Sequence, residues 1–383
     1  MSPSAGTFSF ATATRIHAGR GAIDKLPKEA NRLGTRALLV TGKTPERLES
    51  LFAQLPIPFE KFSIIGEPDV NRVAKGATFA VAKGCDVVIA LGGGSVIDAG
   101  KAISALITNR ENVMTYLEVI GEGKPLVATP APFIAVATTA GTGAEVTRNA
   151  VLFSPTHRVK VSMRSEMMLP DVAIVDPELT LSVPADITAA TGLDALTQVI
   201  EPFVSRKANP LTDAICEAGM TRIARSLKRS FDNGADLDAR EDMAIGSLFG
   251  GLALANAGLG AVHGFAGPMG GMFPIPHGVV CGRLLPFVFR ANAHAVANIP
   301  HLQEKFSHVS RCLTGNPKST VCDGIRWLDD LCAHLKVEGL AHFGVQSGDF
   351  DAIVTAAQRA SSMKGNPVSL PDDVLKTILE QAM

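Results

Sequence analysis

The chain has 383 residues, of which 46% are hydrophobic and 19% charged, and its 36 basic side chains balance 37 acidic ones. A chain of this length has room for about two or three domains, and so apolar a composition excludes a disordered protein. The net charge is −1 and no segment is rich in Lys and Arg, which argues against a nucleic-acid partner.

The sequence shows no signal for a membrane or for secretion. No apolar run approaches the about 18 residues that a membrane-spanning helix needs. The first residues, Met1 to Gly6, lack the basic and then apolar regions of a signal peptide. We therefore expect no membrane partner and a cytoplasmic location.

The six cysteines form no C-x-x-C pair and are too sparse for a disulfide scaffold. They are Cys85, Cys216, Cys281, Cys312, Cys322 and Cys332. Most lie in apolar or helical surroundings, so we interpret them as buried thiols without a function.

Short apolar, β-branched segments alternate with helical patterns in the first half of the chain. Strands are predicted at 37–41, 86–91, 133–137 and 172–176, with a weaker one at 62–65, and crossover helices at 45–55 and 71–84. Nearly continuous apolar runs are typical of strands that are buried on both faces. The alternation predicts a parallel, doubly wound α/β sheet.

After Pro184 the sequence becomes rich in Ala, Leu, Met and charged helix formers. Amphipathic helices are predicted at 184–203, 210–231, 239–257, 291–313, 319–335 and 372–383. The change in composition predicts two domains, an N-terminal α/β domain over residues 1–184 and an all-helical domain over residues 185–383.

A glycine-rich turn follows the predicted strand 86–91 and leads into a helix. Its residues Gly92, Gly93, Gly94 and Ser95 allow the backbone to approach a ligand closely, and the helix N-terminus adds partial positive charge. These features predict a seat for a pyrophosphate, with the Ser95 hydroxyl as a further donor. A turn that binds no ligand is the alternative, because the segment lacks the G-x-G-x-x-G fingerprint.

Two further strand ends carry candidate nucleotide contacts. The segment from Thr138 to Glu145 combines hydroxyls with glycines after the strand 133–137, and ligands of open α/β sheets bind outside such carboxyl ends. The strand 37–41 is followed by Gly42, Lys43 and Thr44, where an acidic residue would favour NAD by binding the ribose 2′-hydroxyl. We expect NADP to be tolerated and leave a preference for it open; the alternative is a turn that contacts no ribose.

The second half contains a candidate set of metal ligands. His263 and His277 lie in glycine- and proline-punctuated apolar segments, and Asp194 and Gln198 share one helix face at i and i+4. Two histidines and one carboxylate suit Fe²⁺, or zinc with an open position, and Gln198 could add a carbonyl oxygen. Hydrogen-bonded core histidines and an Asp near a helix start are the alternative.

In these motifs the chain resembles the iron-containing, group III alcohol dehydrogenase family. The resemblance is carried by five segments in the family's order, namely 92–98, 138–145, 176–179, 192–196 and 263–286. It implies a Rossmann-like NAD(P) domain, an all-helical domain with a catalytic metal in the cleft between them, and a homodimer or larger assembly.

The resemblance also implies roles for individual residues. Gly93, Gly94 and Ser95 match the pyrophosphate cradle, Thr138, Thr139 and Thr142 match nucleotide-contacting hydroxyls, and Lys160 matches a lysine near the nicotinamide ribose. Gly42, Asp98 and Leu179 are further cofactor contacts in this interpretation. Asp194, His263 and His277 match metal ligands and form the expected catalytic group.

The chain departs from the family pattern at two positions. Gln198 stands where the family usually has a fourth ligand, a histidine, and Gly267 stands where it has a histidine credited with proton transfer. An amide oxygen is a weaker ligand than an imidazole for such metals, so we expect lower metal affinity. With no proton-transfer side chain at Gly267, we expect the proton to leave through water or a ribose hydroxyl.

We therefore expect an NAD(P)-dependent, metal-assisted alcohol dehydrogenase or aldehyde reductase that acts on a small alcohol or carbonyl compound, with Fe²⁺ or Zn²⁺ as the metal. The metal would act as a Lewis acid on the substrate oxygen. The alternative is a metal-free enzyme similar to maleylacetate reductase, or a catalytically decayed NAD(P)-binding protein. Gln198 and Gly267 are the residues that support this alternative.

Overall fold

The structure is a computed structural model and describes residues 7–43 and 48–383. The strands in this part of the chain are β1 (Arg15–Ala18), β2 (Ala37–Thr41), β3 (Phe59–Ser63), β4 (Val87–Gly92), β5 (Phe133–Ala137), β6 (Asn149–Ser154), β7 (Val159–Arg164) and β8 (Val172–Val175). The helices are α1 (Leu26–Leu33), α2 (Glu49–Phe52), α3 (Val70–Ala82), α4 (Gly94–Thr108), α5 (Ala185–Val204), α6 (Pro210–Asp232), α7 (Leu237–Ala257), α8 (Ala261–Met272), α9 (His277–Ala295), α10 (Pro300–Thr314), α11 (Val321–His334), α12 (Phe350–Arg359) and α13 (Asp372–Gln381).

Six strands form one parallel sheet in the order β1-β8-β5-β4-β2-β3, while β6 and β7 form a separate antiparallel hairpin. The predicted parallel, doubly wound sheet is confirmed. Its central strands β2, β4, β5 and β8 are buried along their whole length, as their apolar sequences predict. Both faces of the sheet carry apolar clusters, one beneath α3 and α4 and the other beneath α1 and α2.

The chain changes direction across the sheet between β2 and β4. It passes from β2 outward to β3 and then returns to the other side of β2 to form β4. In open α/β sheets this switch point is where ligands bind, at the carboxyl ends of the strands. The glycine-rich turn follows β4 and Gly42 follows β2, so both lie at this switch point.

The predicted elements at the edges of the sheet need correction. The weak strand at 62–65 is β3 at Phe59–Ser63, because its alternating and half-buried residues lack a continuous apolar run. The strand β1 and the β6–β7 hairpin were not predicted. Part of the predicted helix 45–55 lies outside the described residues, and the remainder forms only the short α2.

The second half is helical, as predicted, and α5, α6, α7, α11 and α13 lie close to their predicted positions. The single helix predicted at 291–313 is wrong. Instead α9 ends at Ala295 and α10 begins at Pro300. Proline suits the first position of a helix, since its missing N–H would have no partner there. The glycine-rich α8 and the start of α9 were not predicted as helices.

The described residues divide into two compact units. One comprises Thr12–Thr139 and Gly143–Thr180, and contains the sheet. The other comprises Leu181–Met383 with residues 7–11 and Ala140–Thr142, and its helices surround a single apolar cluster. No single described helix is long and apolar enough to cross a membrane; only α7 and α8 taken together, bent by 98° at their junction, pass that test by length and composition.

Candidate active site

Helix α5 presents three polar side chains on one face of an otherwise apolar, buried helix. Asp194, Gln198 and Glu201 follow one another at i, i+4 and i+7, which places them in line along the helix surface. All three are at most 4% exposed. Buried polar groups are costly unless they have partners, so the residues that face this row define the site.

His263 in α8 lies between two carboxylates of α5. Its Nδ1 is 2.7 Å from Glu201 Oε2, and its Nε2 is 3.1 Å from Asp194 Oδ1. The other Glu201 oxygen accepts a hydrogen bond of 2.7 Å from the backbone N–H of Val262. A neutral imidazole has only one N–H, so it can donate to only one of the two carboxylates.

His277 and Cys281 complete the cluster from the first turn of α9. His277 Nε2 is 3.9 Å from Asp194 Oδ1, and Cys281 Sγ is 3.8 Å from His263 Nε2. One ligand atom from each of Asp194, His263, His277 and Cys281 lies within 4.8 Å of the other three. Cys281 is completely buried, whereas the His277 side chain is 35% exposed, so the cluster opens toward solvent at His277.

The side chains of the cluster favour one another's charged forms. Burial alone would raise the pKa of Asp194, but its hydrogen bond with His263 and the charge of His277 hold this pKa below its ordinary value. Burial alone would lower the pKa of His263, but Cys281, Asp194 and Glu201 raise it well above its ordinary value. Cys281 and Asp194 likewise raise the pKa of His277 against the effect of burial.

Gln198 contacts the cluster through its amide nitrogen. This nitrogen donates a hydrogen bond of 2.9 Å to Asp194 Oδ1, the same oxygen that approaches both histidines. Its buried Oε1 accepts no hydrogen bond from any residue that the structure describes. The amide therefore presents its nitrogen to the carboxylate, and its oxygen is left unsatisfied.

The donor set suits a divalent cation. With the Nδ1–H of His263 donated to Glu201, its Nε2 directs a lone pair at the Asp194 carboxylate, and two electron-rich atoms 3.1 Å apart require a proton or a metal ion between them. A carboxylate, two imidazoles and a thiol are all ordinary ligands of zinc and related metals. The cluster thus fits the metal site that the sequence pattern predicts.

Several candidate nucleotide residues of the sheet-containing unit lie at the carboxyl ends of β2, β4 and β5, which are adjacent strands. Gly42, Gly93 and Thr138 each follow one of these strands, and Thr138 N–H donates to Gly92 O at 3.0 Å. A Cβ on Gly93 would lie 3.1 Å from Thr139 Oγ1, so the turn and this hydroxyl are in close contact.

Helix α4 begins at Gly94, immediately after β4, with Gly93 as its N-cap. No side chain of a described residue caps this end, so the first amide groups have no side-chain acceptor. A pyrophosphate can supply the missing acceptors and gain from the positive end of the helix dipole. The strand ends and the helix start therefore fit a dinucleotide.

The remaining candidate cofactor residues lie elsewhere, and Asp98 and Lys160 have partners within the protein. Asp98 in α4 accepts a hydrogen bond from Val151 N at the β6–β7 hairpin, and burial raises its pKa to about 6 against the effect of Lys101. Lys160 forms an ion pair of 3.0 Å with Glu67. Leu179 follows β8 in a short 3₁₀ helix, and Thr142 belongs to the helical unit.

Sequence reasoning missed Cys281, a member of the cluster of potential metal ligands, and Glu201, which contacts the cluster through His263. Cys281 was assigned no function, but its spacing of i+4 from His277 was a usable signal once α9 was known to begin at His277. Glu201 lies one helical turn beyond Gln198 and could have been found in the same way. The prediction that the cysteines are buried is wrong for Cys322, which is exposed, and for Cys312, which is partly exposed.

A glycine-rich switch point in one unit and a buried cluster of potential metal ligands in the other are features typical of nucleotide-dependent metalloenzymes. Family models assign the chain further: residues 13–177 match the model described as iron-containing alcohol dehydrogenase, and residues 188–383 match the C-terminal model of the same family. The chain belongs to the iron-containing alcohol dehydrogenase family and is an oxidoreductase that acts on CH–OH groups with a nicotinamide cofactor.

Individual relatives agree over nearly the whole chain. It is 35% identical to long-chain-alcohol dehydrogenase 1 of Geobacillus thermodenitrificans, covering 96% of this chain and 94% of the relative. It is 32% identical to the NAD-dependent methanol dehydrogenase of Bacillus methanolicus, covering 94% and 96%. The crystal structure of a 1,3-propanediol oxidoreductase superposes with a TM-score of 0.90 at 33% identity, covering 99% of this chain and all of the other.

Proposed function

We propose that this chain interconverts a small alcohol and its aldehyde or ketone, using NAD(P) and a divalent metal held by Asp194, His263 and His277. The observation that carries the proposal is the position of His263 between the carboxylates of Glu201 and Asp194. That arrangement is balanced when a cation lies beside His263 Nε2. Fe²⁺ and Zn²⁺ both suit two imidazoles and a carboxylate.

In this proposal a bound metal acts as a Lewis acid that polarises the substrate oxygen and lowers the pKa of the alcohol. Asp194 and His263 are the buried side chains that would hold such an ion. His277 holds it from the solvent-accessible side, where a substrate can enter. Glu201 fixes the ring of His263, and Gln198 fixes the carboxylate of Asp194 through its N–H.

The nicotinamide cofactor accepts or supplies the hydride, and the chain supplies its binding site. We assign the pyrophosphate to Gly93, Gly94 and Ser95 at the start of α4, because this helix end has no side-chain cap among the described residues. The further proposed contacts are Gly42, Asp98, Thr138, Thr139, Thr142, Lys160 and Leu179. Gly42 carries no charge that would repel a 2′-phosphate, which supports the use of NADP as well as NAD.

Because residue 267 is a glycine, no side chain at that position can transfer the proton. Gly267 lies in α8 one turn after His263, and a Cβ there would meet no described atom within 4 Å. Open space beside a proposed metal ligand suits a water molecule. We propose that water or a ribose hydroxyl carries the proton between substrate and solvent.

The test is a panel of small aldehydes and ketones, reduced with NADH and with NADPH, before and after chelation and after addition of Fe²⁺ or Zn²⁺. We expect turnover that chelation abolishes and that one of the metals restores. Full turnover after complete chelation would contradict the metal-assisted mechanism and support the metal-free alternative. Binding of NADPH without turnover on the whole panel would support a decayed enzyme.

The sequence further predicts a homodimer or larger assembly and a cytoplasmic location. Both stay predictions.

A further inference from the structure

We propose that Cys281 is a fourth protein ligand of the metal site and that its thiolate makes zinc, rather than iron, the metal that this chain selects. The inference rests on the proposed metal site of Asp194, His263 and His277. It assigns a role to a thiol that replaces, from a different helix, the fourth imidazole that the family pattern expects at position 198.

The position of Cys281 follows from helix geometry. His277 is the first residue of α9, and Cys281 lies four residues later, so both side chains are on the same face of the helix. Cys281 Sγ is 3.8 Å from His263 Nε2, and its distances to the ligand atoms of Asp194 and His277 are no more than 4.8 Å. Ligand atoms around a tetrahedral zinc ion with bonds of about 2.0–2.3 Å are about 3.3–3.8 Å apart. The four side chains need only small rotations to meet that geometry.

Gln198 is less suited to be the fourth ligand. Its amide nitrogen already donates to Asp194 Oδ1, and a nitrogen with two hydrogens has no lone pair to offer a metal. Turning the amide would bring Oε1 toward the carboxylate oxygen and remove this hydrogen bond. Gln198 is therefore a positioning residue for Asp194, and the Cys281 thiol is the stronger donor.

The other thiols have different surroundings. Cys332 donates to Gly282 O at 3.3 Å, and Cys216 is buried in the same apolar cluster as Cys281 but belongs to no group of potential metal ligands among the described residues. Among the described residues Cys281 is the one cysteine that belongs to a group of potential metal ligands. A buried thiol used only for packing would not need two imidazoles and a carboxylate near its sulfur.

The ligand charges and the softness of sulfur favour zinc. One thiolate and one carboxylate carry two negative charges, which balance a divalent cation in a buried site. Thiolate with imidazole is a typical zinc donor set, whereas carboxylates and waters suit harder ions. With four protein ligands, the substrate oxygen would enter as a fifth, from the side where His277 is exposed.

The first test uses the full chain, chelated and then loaded with Co²⁺ as a spectroscopic probe. We expect a thiolate-to-cobalt charge-transfer band in the near ultraviolet that is lost in Cys281→Ser and retained in Cys332→Ser. The second variant is the matched control, because Cys332 is also a buried thiol beside α9 but lies outside the cluster. Circular dichroism and thermal unfolding of both variants check that they fold.

The second test uses Zn²⁺. X-ray absorption of the zinc-loaded wild type should show one sulfur at about 2.3 Å, and chelator competition should show that Cys281→Ser lowers zinc affinity by at least about 100-fold, beyond the usual loss for an outer-shell partner. In direct competition the preference for Zn²⁺ over Fe²⁺ should be larger in the wild type than in Cys281→Ser, because zinc exceeds iron at most sites even without a thiolate. These readouts need no activity assay.

A metal that binds and restores turnover without a sulfur signal, and with equal affinity in Cys281→Ser, would overturn this inference and leave the proposed function intact. Turnover that is independent of any metal would instead overturn the proposed function. A sulfur-ligated metal that does not support turnover would support the ligand assignment and contradict the proposed chemistry. Different results would therefore overturn the assignment of Cys281 as a ligand and the proposed function.

Discussion

Glu201 and Asp194 approach opposite nitrogens of His263, and this contact decides which ring nitrogen is free to bind a metal. With the Nδ1–H donated to Glu201 at 2.7 Å, Nε2 faces Asp194 and is the nitrogen left for a proton or a metal ion. Glu201, which does not itself belong to the group of metal ligands, would thus hold a metal-bound imidazole in one tautomer and one orientation.

We predict that Glu201→Gln lowers metal affinity by about 10–100-fold, as is usual when an outer-shell partner of a ligating histidine is removed. The amide is of similar size but carries no charge, and it offers a single oxygen to replace the two that bind Val262 N–H and His263. Chelator competition with Zn²⁺ measures the change. Asp242→Asn is the control, because Asp242 is a buried carboxylate that binds Arg225 and Ser226 elsewhere in the helical unit. Equal affinity in Glu201→Gln and wild type would contradict the prediction.

A substitution at Gly42 tests whether this residue lies beside the adenosine ribose of the cofactor. A Cβ there would lie 3.8 Å from Val96 Cγ2, which is ordinary van der Waals contact, so a side chain can be added without a clash. We predict that Gly42→Asp weakens NADPH binding by at least about tenfold, since a carboxylate repels the 2′-phosphate, and weakens NADH binding much less. Gly42→Asn is the uncharged control. An NADPH affinity that is the same in Gly42→Asp and wild type would show that Gly42 is not near the ribose.

The metal ligands show how far sequence alone reaches at this scale. Asp194, His263 and His277 could be proposed from the sequence because carboxylates and histidines in glycine-punctuated apolar segments are unusual, and the structure brings the three side chains together. Cys281 could not, because a cysteine in an apolar segment is most often a packing residue. Only the start of α9 at His277 shows that the thiol and the imidazole share a face.

Glu29 connects two elements at the edge of the sheet. This buried carboxylate of α1 binds Arg15 of β1 and Arg32 of α1, each at 2.7 Å, and lies 3.2 Å from His17 of β1. Burial alone would raise its pKa, but these hydrogen bonds lower it from 4.5 to about 2. The edge strand β1 is thereby joined to the helix that follows it.

We predict that Glu29→Gln lowers the free energy of unfolding at neutral pH and changes how this free energy depends on pH. A lowered pKa means that the folded state prefers the ionised carboxylate, so this contribution is present above the unfolded value of 4.5 and is lost as the pH falls toward about 2. The two arginines are partly exposed, so we expect about 1–2 kcal/mol. Urea denaturation of the variant and wild type at several pH values measures the difference, which should shrink between pH 4.5 and 2. A difference that grows in acid would contradict the prediction.

Strands could be predicted from the sequence where both of their faces are buried. The strands β2, β4, β5 and β8 are buried on both faces and therefore have continuous apolar sequences. The edge strands β1 and β3 are only half-buried, so charged residues interrupt their patterns. Helix α8 contains four glycines and a proline and has little local helix propensity, so its form depends on packing in the helical unit.

At the level of the whole molecule, the proposed metal ligands and the proposed nucleotide contacts belong to different compact units, with Thr142 as the exception. The two binding functions also use different chemistry. In the proposed function the metal would rely on side-chain donors, whereas the pyrophosphate would rely on backbone amides at the start of α4. Each function should therefore persist when the other is removed.

We predict that chelated protein binds NADPH with an affinity within about twofold of the metal-loaded protein, the range in which independent sites act additively. Calorimetric titration of both forms measures this, and Asp194→Asn offers a second way to remove the metal. A loss of NADPH affinity of more than about tenfold on chelation would show instead that the two sites are strongly coupled.

The central claim is that a metal ion at Asp194, His263 and His277 supports the reduction of a carbonyl substrate. The most direct measurement titrates Zn²⁺ or Fe²⁺ into the chelated chain and follows bound metal and NADPH-dependent aldehyde reduction in the same samples, with Asp194→Asn in parallel. We expect a rate that rises in proportion to bound metal and saturates at one ion per chain, with neither binding nor turnover in Asp194→Asn. A chelated wild-type chain that reduces aldehydes at the full rate, unaffected by added metal, would contradict it.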